Sequence, residues 1–481
     1  MCGIIGILNG EGVQYDIALA LQTIQHRGQD SCGIATRAGR KFYLEKDDGL
    51  VNQIFTNEKL EYFKGDMGIA HVRYPTMGSA GKVNAQPFFE KQPGIFMAHN
   101  GNIINFHQLR REFLEKSLYL TSSTDIEPVL YVLAEELMAI REIRHTTDDL
   151  VVALKKTYAR VRGAYTIVSI MELDGEEVMF ACRDPHGIRP GVWGEKNGSF
   201  MVASESVALE INGYDFKGDI PNGKLMIFKK NKPVQIYDID VREHRPCIFE
   251  YIYFARPDSV ISGASVYDAR LKLGGLLAEE IQRKGIQADV VMPVPDSSRP
   301  AASSVAEYLK VPLRDGFIKN RYSGRTFIMP SQKIREDAMR LKHNTIDSEF
   351  RGKRVLIVDD SIVRGTTTKH LVNLVKKSEP KEIHIAIYSP PVYHPCFYGV
   401  DISQKDELIA RKFESFYENG KQSFEEKMAE YSGADSLTYL PADMLCSVLP
   451  VKPCSACFNG DYVLPLANTE VADIELDRKK R

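Results

Sequence analysis

Arg354-Val355-Leu356-Ile357-Val358-Asp359-Asp360-Ser361-Ile362-Val363-Arg364-Gly365-Thr366-Thr367-Thr368 decides how the second half of this chain folds. Val355–Val358 is short and uniformly apolar, as expected of a strand buried on both faces. Two carboxylates end it, and a turn with glycine and hydroxyl residues opens a helical pattern at Thr367–Lys377. Val290–Val294 and Ile383–Tyr388 are runs of the same kind, and Ala301–Leu309 reads as a helix after the first. Such alternation from about residue 245 predicts a parallel α/β sheet. Ligands of such sheets sit beyond the carboxyl ends of the strands. The free N–H groups and positive dipole end of the following helix suit a phosphate. Ser361, Thr366, Thr367 and Thr368 add hydroxyl donors, and Gly365 allows close backbone approach. Asp359 and Asp360 would repel phosphate, but acceptor-only carboxylates suit a sugar diol or metal-bound water. Phosphate on one side and diol on the other describe a ribose 5-phosphate. No Walker A loop competes with this reading.

Upstream the grammar is antiparallel. Asp174-Gly175 separates the apolar runs Tyr165–Met171 and Val178–Ala181, and Asn197-Gly198 separates Val192–Trp193 from Phe200–Ala203. Both dipeptides tolerate the positive φ of tight hairpins. Helical patterning at Asp16–Ile24 and Ile126–Met138 predicts helices layered on antiparallel sheets, with a domain boundary near Asp238–Pro246. The chain opens Met1-Cys2-Gly3-Ile4-Ile5-Gly6. Loss of the initiator methionine would leave Cys2 with a thiol of pKa about 8.5 beside its own α-amine of about 7.7–8.0. Nucleophile and general base would then belong to one residue. A chance cysteine near a start codon is the competing reading.

At 481 residues, with 43% hydrophobic and 26% charged residues, the chain suits a globular protein of about two to four domains. A net charge of −2 argues against a nucleic-acid or membrane partner, and no secretory h-region or bilayer-length apolar run stands out. The expected compartment is the cytoplasm, so the eight cysteines read as reduced thiols, catalytic groups or metal ligands. Cys247, Cys396, Cys454 and Cys457 occur as Pro246-Cys247, Pro395-Cys396 and Cys454-Ser455-Ala456-Cys457. Four thiols suit a structural zinc or a [4Fe–4S] cluster alike, and for the Cys-x-x-Cys alone zinc, a redox pair and chance all compete. Cys32, Cys182 and Cys446 read as buried hydrophobes, and Arg478–Arg481 as a frayed, solvated end.

The Arg354–Thr368 string resembles the phosphoribosyl-pyrophosphate (PRPP) loop of type I phosphoribosyltransferases. Further motifs extend the likeness: Gln25-His26-Arg27-Gly28-Gln29-Asp30, His71-Val72-Arg73-Tyr74-Pro75-Thr76, His99-Asn100-Gly101-Asn102, Ser123-Thr124-Asp125, Glu250–Ser259 and Lys319–Ile328. From Met1 to about Gly460 the chain resembles the glutamine phosphoribosylpyrophosphate amidotransferases. The resemblance implies an α+β N-terminal nucleophile glutaminase (four-layer αββα sandwich) over 2–240 and an α/β type I phosphoribosyltransferase domain over 245–465, before a charged C-terminal tail, 466–481. It implies that Cys2 attacks the glutamine amide, that Asn100 and the Gly101 N–H form the oxyanion hole, and that Arg73 and Asp125 hold the α-carboxylate and α-amine. Met77 stands where a smaller residue is expected, which touches loop packing and not chemistry.

By the same resemblance, ammonia displaces pyrophosphate from C1 of PRPP to give 5-phosphoribosylamine, the first step of de novo purine synthesis. Asp296, Ser297 and Ser298 would cradle pyrophosphate. Lys319, Arg321 and Arg325 would lie on a closing flap, a basic run that by itself reads equally as a solvated loop or a nucleic-acid contact, and Asp359, Asp360, Ser361, Arg364, Gly365, Thr366 and Thr367 would hold the ribose phosphate. Mg2+ would accompany the pyrophosphate, with Ser298, Asp359 and Asp360 as candidate ligands. The family divides into cluster-bearing and cluster-free members. With all four positions filled, the resemblance implies a structural [4Fe–4S] cluster on Cys247, Cys396, Cys454 and Cys457. Cluster-bearing relatives often carry a propeptide, so here only methionine removal is expected to precede activity. Purine nucleotide inhibitors and a homo-oligomer, dimer or tetramer, are implied as well. Two rivals are a different class II amidotransferase such as glucosamine-phosphate synthase, disfavoured by the PRPP loop, and a non-catalytic PRPP sensor, which would have no use for Cys2, Arg73, Asn100 and Asp125.

Overall fold

The computed structural model describes residues 1–8, 10, 12–75, 78, 81–319, 343–402, 404–414 and 423–479. Strands up to residue 238 are β1 (Gly3–Leu8), β2 (Ser31–Ala38), β3 (Lys41–Asp48), β4 (Met67–Arg73), β5 (Phe88–Glu90), β6 (Ile95–Ile103), β7 (Gly163–Leu173), β8 (Glu176–Arg183), β9 (Val192–Lys196), β10 (Ser199–Ala203), β11 (Asp215–Asp219), β12 (Lys224–Lys229) and β13 (Gln235–Asp238). Both expected hairpins form. Asp174 and Gly175 turn at φ 56° and 75° between β7 and β8, and Asn197 and Gly198 at 50° and 76° between β9 and β10.

Among the described residues these strands make a seven-stranded sheet, β11-β9-β10-β1-β4-β2-β3, and a six-stranded sheet, β13-β12-β8-β7-β6-β5. Side chains alternate across a strand, so Ile4 and Leu8 of β1 face the second sheet while Ile5 and Ile7 face outward. Ile4, Leu8, Met67 and Ile69 pack between the sheets against Phe96, Val168, Met179 and Phe228. Ile17 and Leu21 of the helix Val13–Thr23 cover the outer face of the first sheet. The helices Ile126–Ile140 and Thr147–Arg160 cover the second, through Val129, Leu133, Leu150 and Leu154. The four-layer αββα sandwich is therefore present. All six residues of β1 are buried. Four are Ile or Leu, each favoured by about 1.5–3 kcal/mol on burial, so packing on both faces seats the strand that follows Cys2.

Beyond Asp238 come a small hairpin, β14 (Val260–Ile261) and β15 (Ala264–Ser265), and the strands β16 (Val290–Pro293), β17 (Phe317–Lys319), β18 (His343–Thr345), β19 (Arg354–Asp359), β20 (Glu382–Ile387) and β21 (Ser436–Tyr439). β16-β19-β20-β21 form a parallel four-stranded sheet. Helices Val266–Arg283 and Arg299–Leu309 cover one face of it, through Leu273, Leu277, Ala301 and Val305. Helices Thr366–Lys376 and Phe424–Ser432 cover the other, through Leu371, Val375 and Met428. With both faces covered, uniformly apolar strands are what the fold requires.

The halves are not packed as separate cores. One apolar cluster runs from the helix Ile126–Ile140 through Ile248–Ile252 to the helix Val266–Arg283. Between them lies a fully buried charge network: Arg27 donates to Glu205 and Glu250, and Arg189 donates to Glu250. The expectation of a frayed end over Arg478–Arg481 is corrected at Arg478, while Lys480 and Arg481 lie outside the described residues. Asn468–Lys479 is a helix with Ile474 fully buried, and Arg162 pairs with Glu470 at 2.5 Å. Arg478 donates to the carbonyls of Cys396 (2.5 Å) and Ile402 (3.3 Å), so the charged face docks instead of fraying.

Candidate active sites

β1 pairs with β4 in a register that puts Gly3 opposite Val72. One residue further, Cys2 falls beside Arg73. The Cys2 thiol is buried and donates to the Tyr74 carbonyl at 3.5 Å. Arg73 is only 3% exposed. Burial pulls its pKa down, and its neighbours Cys2, Asp125, Asp30 and Asp48 oppose this. Gly28 of the Gln-His-Arg-Gly motif backs onto it so closely that a Cβ there would lie 2.5 Å from the Arg73 nitrogen.

Asp125 precedes the helix Ile126–Ile140 and accepts from the Ile103 N–H (2.9 Å), with His99 Nε2 at 3.3 Å. Burial would raise its pKa, but His99 and the backbone donors hold the carboxyl below its usual value, so it is ionised at neutral pH. Asn100 and Gly101 lie on β6, which packs across the sandwich against β1 and β4. Asn100 is buried and its Nδ2 has no hydrogen-bond partner among the described residues. Leaving such a donor unpaired costs about 1–3 kcal/mol, a state that an incoming oxygen acceptor would relieve. Cys2 and Arg73 thus end adjacent strands of one sheet, and Asn100 and the Asp125 held on β6 belong to the layer packed against it; these are the kinds of group needed to grip an amino-acid zwitterion and open its side-chain amide. Met1 is buried ahead of Cys2, its Sδ 2.8 Å from Arg189 Nη2.

The second site forms because β16 and β19 are parallel neighbours, Val290 opposite Val355, so the loops after them meet. Ser297 donates to Asp360 Oδ2 (2.6 Å), Ser298 to Asp359 Oδ1 (3.3 Å) and Ser361 to Asp360 Oδ1 (2.6 Å). Burial, then its neighbour Asp360, pushes Asp359 well above the usual carboxyl range, and burial raises Asp360 too. Added positive charge or further hydroxyl donors at this pair would pull both carboxyls back down. Gly365 takes φ 76° at the start of the helix Thr366–Lys376, which has no side-chain cap. Its first N–H groups are therefore open, with Thr366 and Thr367 exposed beside them.

Not every expected residue joins this group. Arg364 turns to Glu407, at 2.8 Å. Lys319 and Asp296 bind one another at 2.8 Å on the exposed rim. Arg321 and Arg325 lie outside the described residues, as does Met77.

Cys247, Cys396, Cys454 and Cys457 are buried free thiols that line one small cavity with Ile188, Phe249 and Tyr398. Cys247 and Cys454 form a β-bridge, and the Tyr398 N–H donates to Cys396 Sγ at 3.3 Å. Burial pushes the Cys247 thiol up to about 11, while the Arg189 guanidinium pulls it down. Among the described residues no three His, Cys, Asp or Glu side chains are disposed to hold a metal ion, these four thiols included. Cys32 and Cys182 are buried as expected, but Cys446 is exposed.

Sequence reasoning missed the supports. Glu205 joins His26 and Arg27 to the backbone N–H of Arg256 and to Ser259, and Asn102 donates to the Phe397 carbonyl. The motifs around His26 and Asn102 were visible, but their partners, more than a hundred residues away, carried no local signal.

Comparison with known proteins agrees with both halves. A glutamine amidotransferase domain matches residues 77–210, and a phosphoribosyl transferase domain matches residues 263–398. The amidophosphoribosyltransferase of Pseudomonas aeruginosa is 41% identical over 480 residues, covering 96% of this chain and 93% of that protein. That of Saccharomyces cerevisiae is 37% identical, covering 100% and 96%. A solved structure of glutamine PRPP amidotransferase from B. subtilis, complexed with ADP and GMP, superposes with a TM-score of 0.84 at 35% identity, covering 97% of this chain and 98% of its own. The chain belongs to the amidophosphoribosyltransferase family, the glutamine-dependent enzymes that take PRPP through the first committed step of purine synthesis.

Proposed function

We propose that Cys2 is the nucleophile of the glutaminase half and that its ammonia is consumed at the Asp359–Thr367 site. The observation that carries this reading is the buried Cys2 thiol, one residue beyond the Gly3–Val72 pair and so beside the buried Arg73. With Met1 removed, the Cys2 α-amine takes the thiol proton as sulfur attacks the glutamine side-chain carbonyl. Asn100 Nδ2 and the Gly101 N–H hold the oxyanion. Collapse breaks the C–N bond, the amine returns the proton to the departing ammonia, and water hydrolyses the glutamyl thioester to glutamate. The ammonia lone pair then attacks C1 of PRPP, and the C1–O bond to pyrophosphate breaks. Ser297 and Ser298 receive the pyrophosphate, the open helix end at Thr366 and Thr367 receives the 5-phosphate, and Asp359 and Asp360 accept from the ribose hydroxyls. Mg2+, for which Ser298, Asp359 and Asp360 offer oxygen donors, would supply charge neutralisation of the leaving pyrophosphate. The test is glutamine hydrolysis with and without Mg-PRPP alongside Cys2→Ala. The variant should lose glutamine-dependent turnover, falling by about 10⁴-fold or more, yet keep turnover with free ammonia. Retained glutaminase activity would remove Cys2 from the mechanism.

The cluster-bearing branch of the family is also proposed. Four buried free thiols on one cavity and a backbone N–H aimed at Cys396 Sγ favour a [4Fe–4S] cluster with a structural role. Purified protein should be brown and contain about four irons and four sulfides per chain. Stoichiometric zinc would refute this. Regulation by purine nucleotides is supported by the ADP and GMP bound to the B. subtilis relative. A dimer or tetramer and a cytoplasmic location remain family-based proposals, to be read by light scattering and cell fractionation. Among the described residues no helix is long and apolar enough to cross a membrane.

A further inference from the structure

The strand that carries Asn100 and Gly101 has a weakness on one edge. β6 is paired along its length with β7, but on the other side β5 reaches only Ile95–Met97. Asn100 to Ile103 therefore lack a strand partner on that edge. The Ile103 N–H there donates to Asp125 Oδ2 at 2.9 Å, and the Asn102 side chain and the Gly101 backbone are met from the other half of the protein. Asn102 Nδ2 donates to the Phe397 carbonyl at 2.9 Å, and both residues are about 1% exposed. Gly399, at φ +101°, packs so closely that a Cβ there would lie 3.1 Å from the carbonyl carbon of Gly101 and 3.2 Å from its oxygen.

The turn itself is held on several sides. Arg189 Nη1 donates to the Tyr398 carbonyl at 3.2 Å, and Arg478 of the C-terminal helix donates to the Cys396 carbonyl at 2.5 Å. The Arg478 guanidinium also lies 5.8 Å from the centre of the Phe397 ring.

We propose that Asn102 and Gly399 are positioning residues for the glutaminase reaction: the Cys396–Gly399 turn of the phosphoribosyltransferase half packs against the end of β6 that β5 leaves uncovered and sets the placement of Asn100 and Gly101. This rests on the reading of Asn100 and Gly101 as the oxyanion hole. Donors to an oxyanion act only within a few tenths of an ångström of their best distance, and misplacement of a reacting group by about 1 Å can cost 10²-fold in rate. Neither Asn102 nor Gly399 has been placed among the groups that grip the substrate head group, so the defect should fall on turnover and not on glutamine binding.

The test uses Asn102→Asp, which removes the donor at nearly unchanged size, and Gly399→Ala, which pushes a methyl into the Gly101 backbone. Glutaminase kcat should fall about 10- to 100-fold in each, the KM for glutamine should change less than about twofold, and ammonia-dependent turnover of PRPP should stay within about twofold of the parent, reporting an intact second half. Iron per chain should also stay at the parent value. Asn100→Ala separates the two readings. If that variant keeps its glutaminase kcat, the oxyanion assignment fails. If it loses kcat while Asn102→Asp and Gly399→Ala do not, the assignment stands and the positioning role is refuted. Loss of both half-reactions in both variants would assign the turn to folding, and would equally overturn the proposal.

Discussion

Glu205 is the residue whose removal should most damage the joint between the two halves. Its side chain is fully buried and accepts from His26 Nε2 (2.8 Å), Arg27 Nε (2.5 Å), the Arg256 N–H (2.9 Å) and Ser259 Oγ (2.8 Å). Two donors come from each half. Glu205→Gln keeps the volume but turns an amide NH2 toward groups that are themselves donors. The relevant magnitude is not the net worth of a buried ion pair, which can be near zero, but the cost of stranding one charge, about 3–5 kcal/mol. Arg27 keeps its second partner, Glu250, at 2.5 Å, so the lower end, about 3 kcal/mol, applies. For a cooperative unit of roughly 150–250 residues that is a fall in Tm of about 6–12 °C.

The pH dependence adds a second test. Burial would raise the carboxyl, but His26 and Arg27 hold it far below the ordinary 4.5. A depressed acid contributes stability that is present above its unfolded pKa and lost as pH falls toward its folded one. Calorimetry at neutral pH should therefore show the full Tm gap between parent and Glu205→Gln, and the gap should begin to close below about pH 4.5. A neutral-pH shift under about 2 °C would sink the argument, and so would a gap that widens in acid.

Three further outcomes are expected. Asn100→Ala should lower glutaminase kcat by about 10²–10³-fold, the loss typical of one oxyanion donor, with ammonia-dependent turnover preserved. Because burial raises both Asp359 and Asp360, binding of PRPP with Mg2+ should weaken as pH falls, read by calorimetry over a pH series; in the free protein, Asp359→Asn should raise Tm while abolishing phosphoribosyl transfer. Ile474→Ala removes a fully buried anchor of the C-terminal helix. It should cost about 2–5 kcal/mol locally, seen as faster amide exchange confined to Asn468–Lys479, and unchanged exchange there would mean that the helix is not docked.

Much of this protein was legible from short stretches of sequence. The apolar runs that became β16, β19 and β20, the positive-φ dipeptides between β7 and β8 and between β9 and β10, and the acidic-to-hydroxyl loop after β19 all obey rules spanning a few residues. The motifs around Cys2, Arg73, Asn100 and Asp125 pointed to one chemistry before any coordinates. Periodicity says nothing, however, about which distant residue answers a buried charge. Glu205 and Arg27 are 178 positions apart, and Asn102 and Phe397 are 295 apart. The C-terminal helix is the clearest case. Its charged sequence reads as solvated, and only the folded surface supplies the carbonyls of Cys396 and Ile402 that Arg478 meets. Local sequence determined the elements and the reactive groups, because turns, strands and helix ends are settled by neighbours in the chain. Tertiary structure decided which groups share a pocket and how the halves are joined, because buried hydrogen bonds and charges are satisfied by whatever packing brings within about 3 Å.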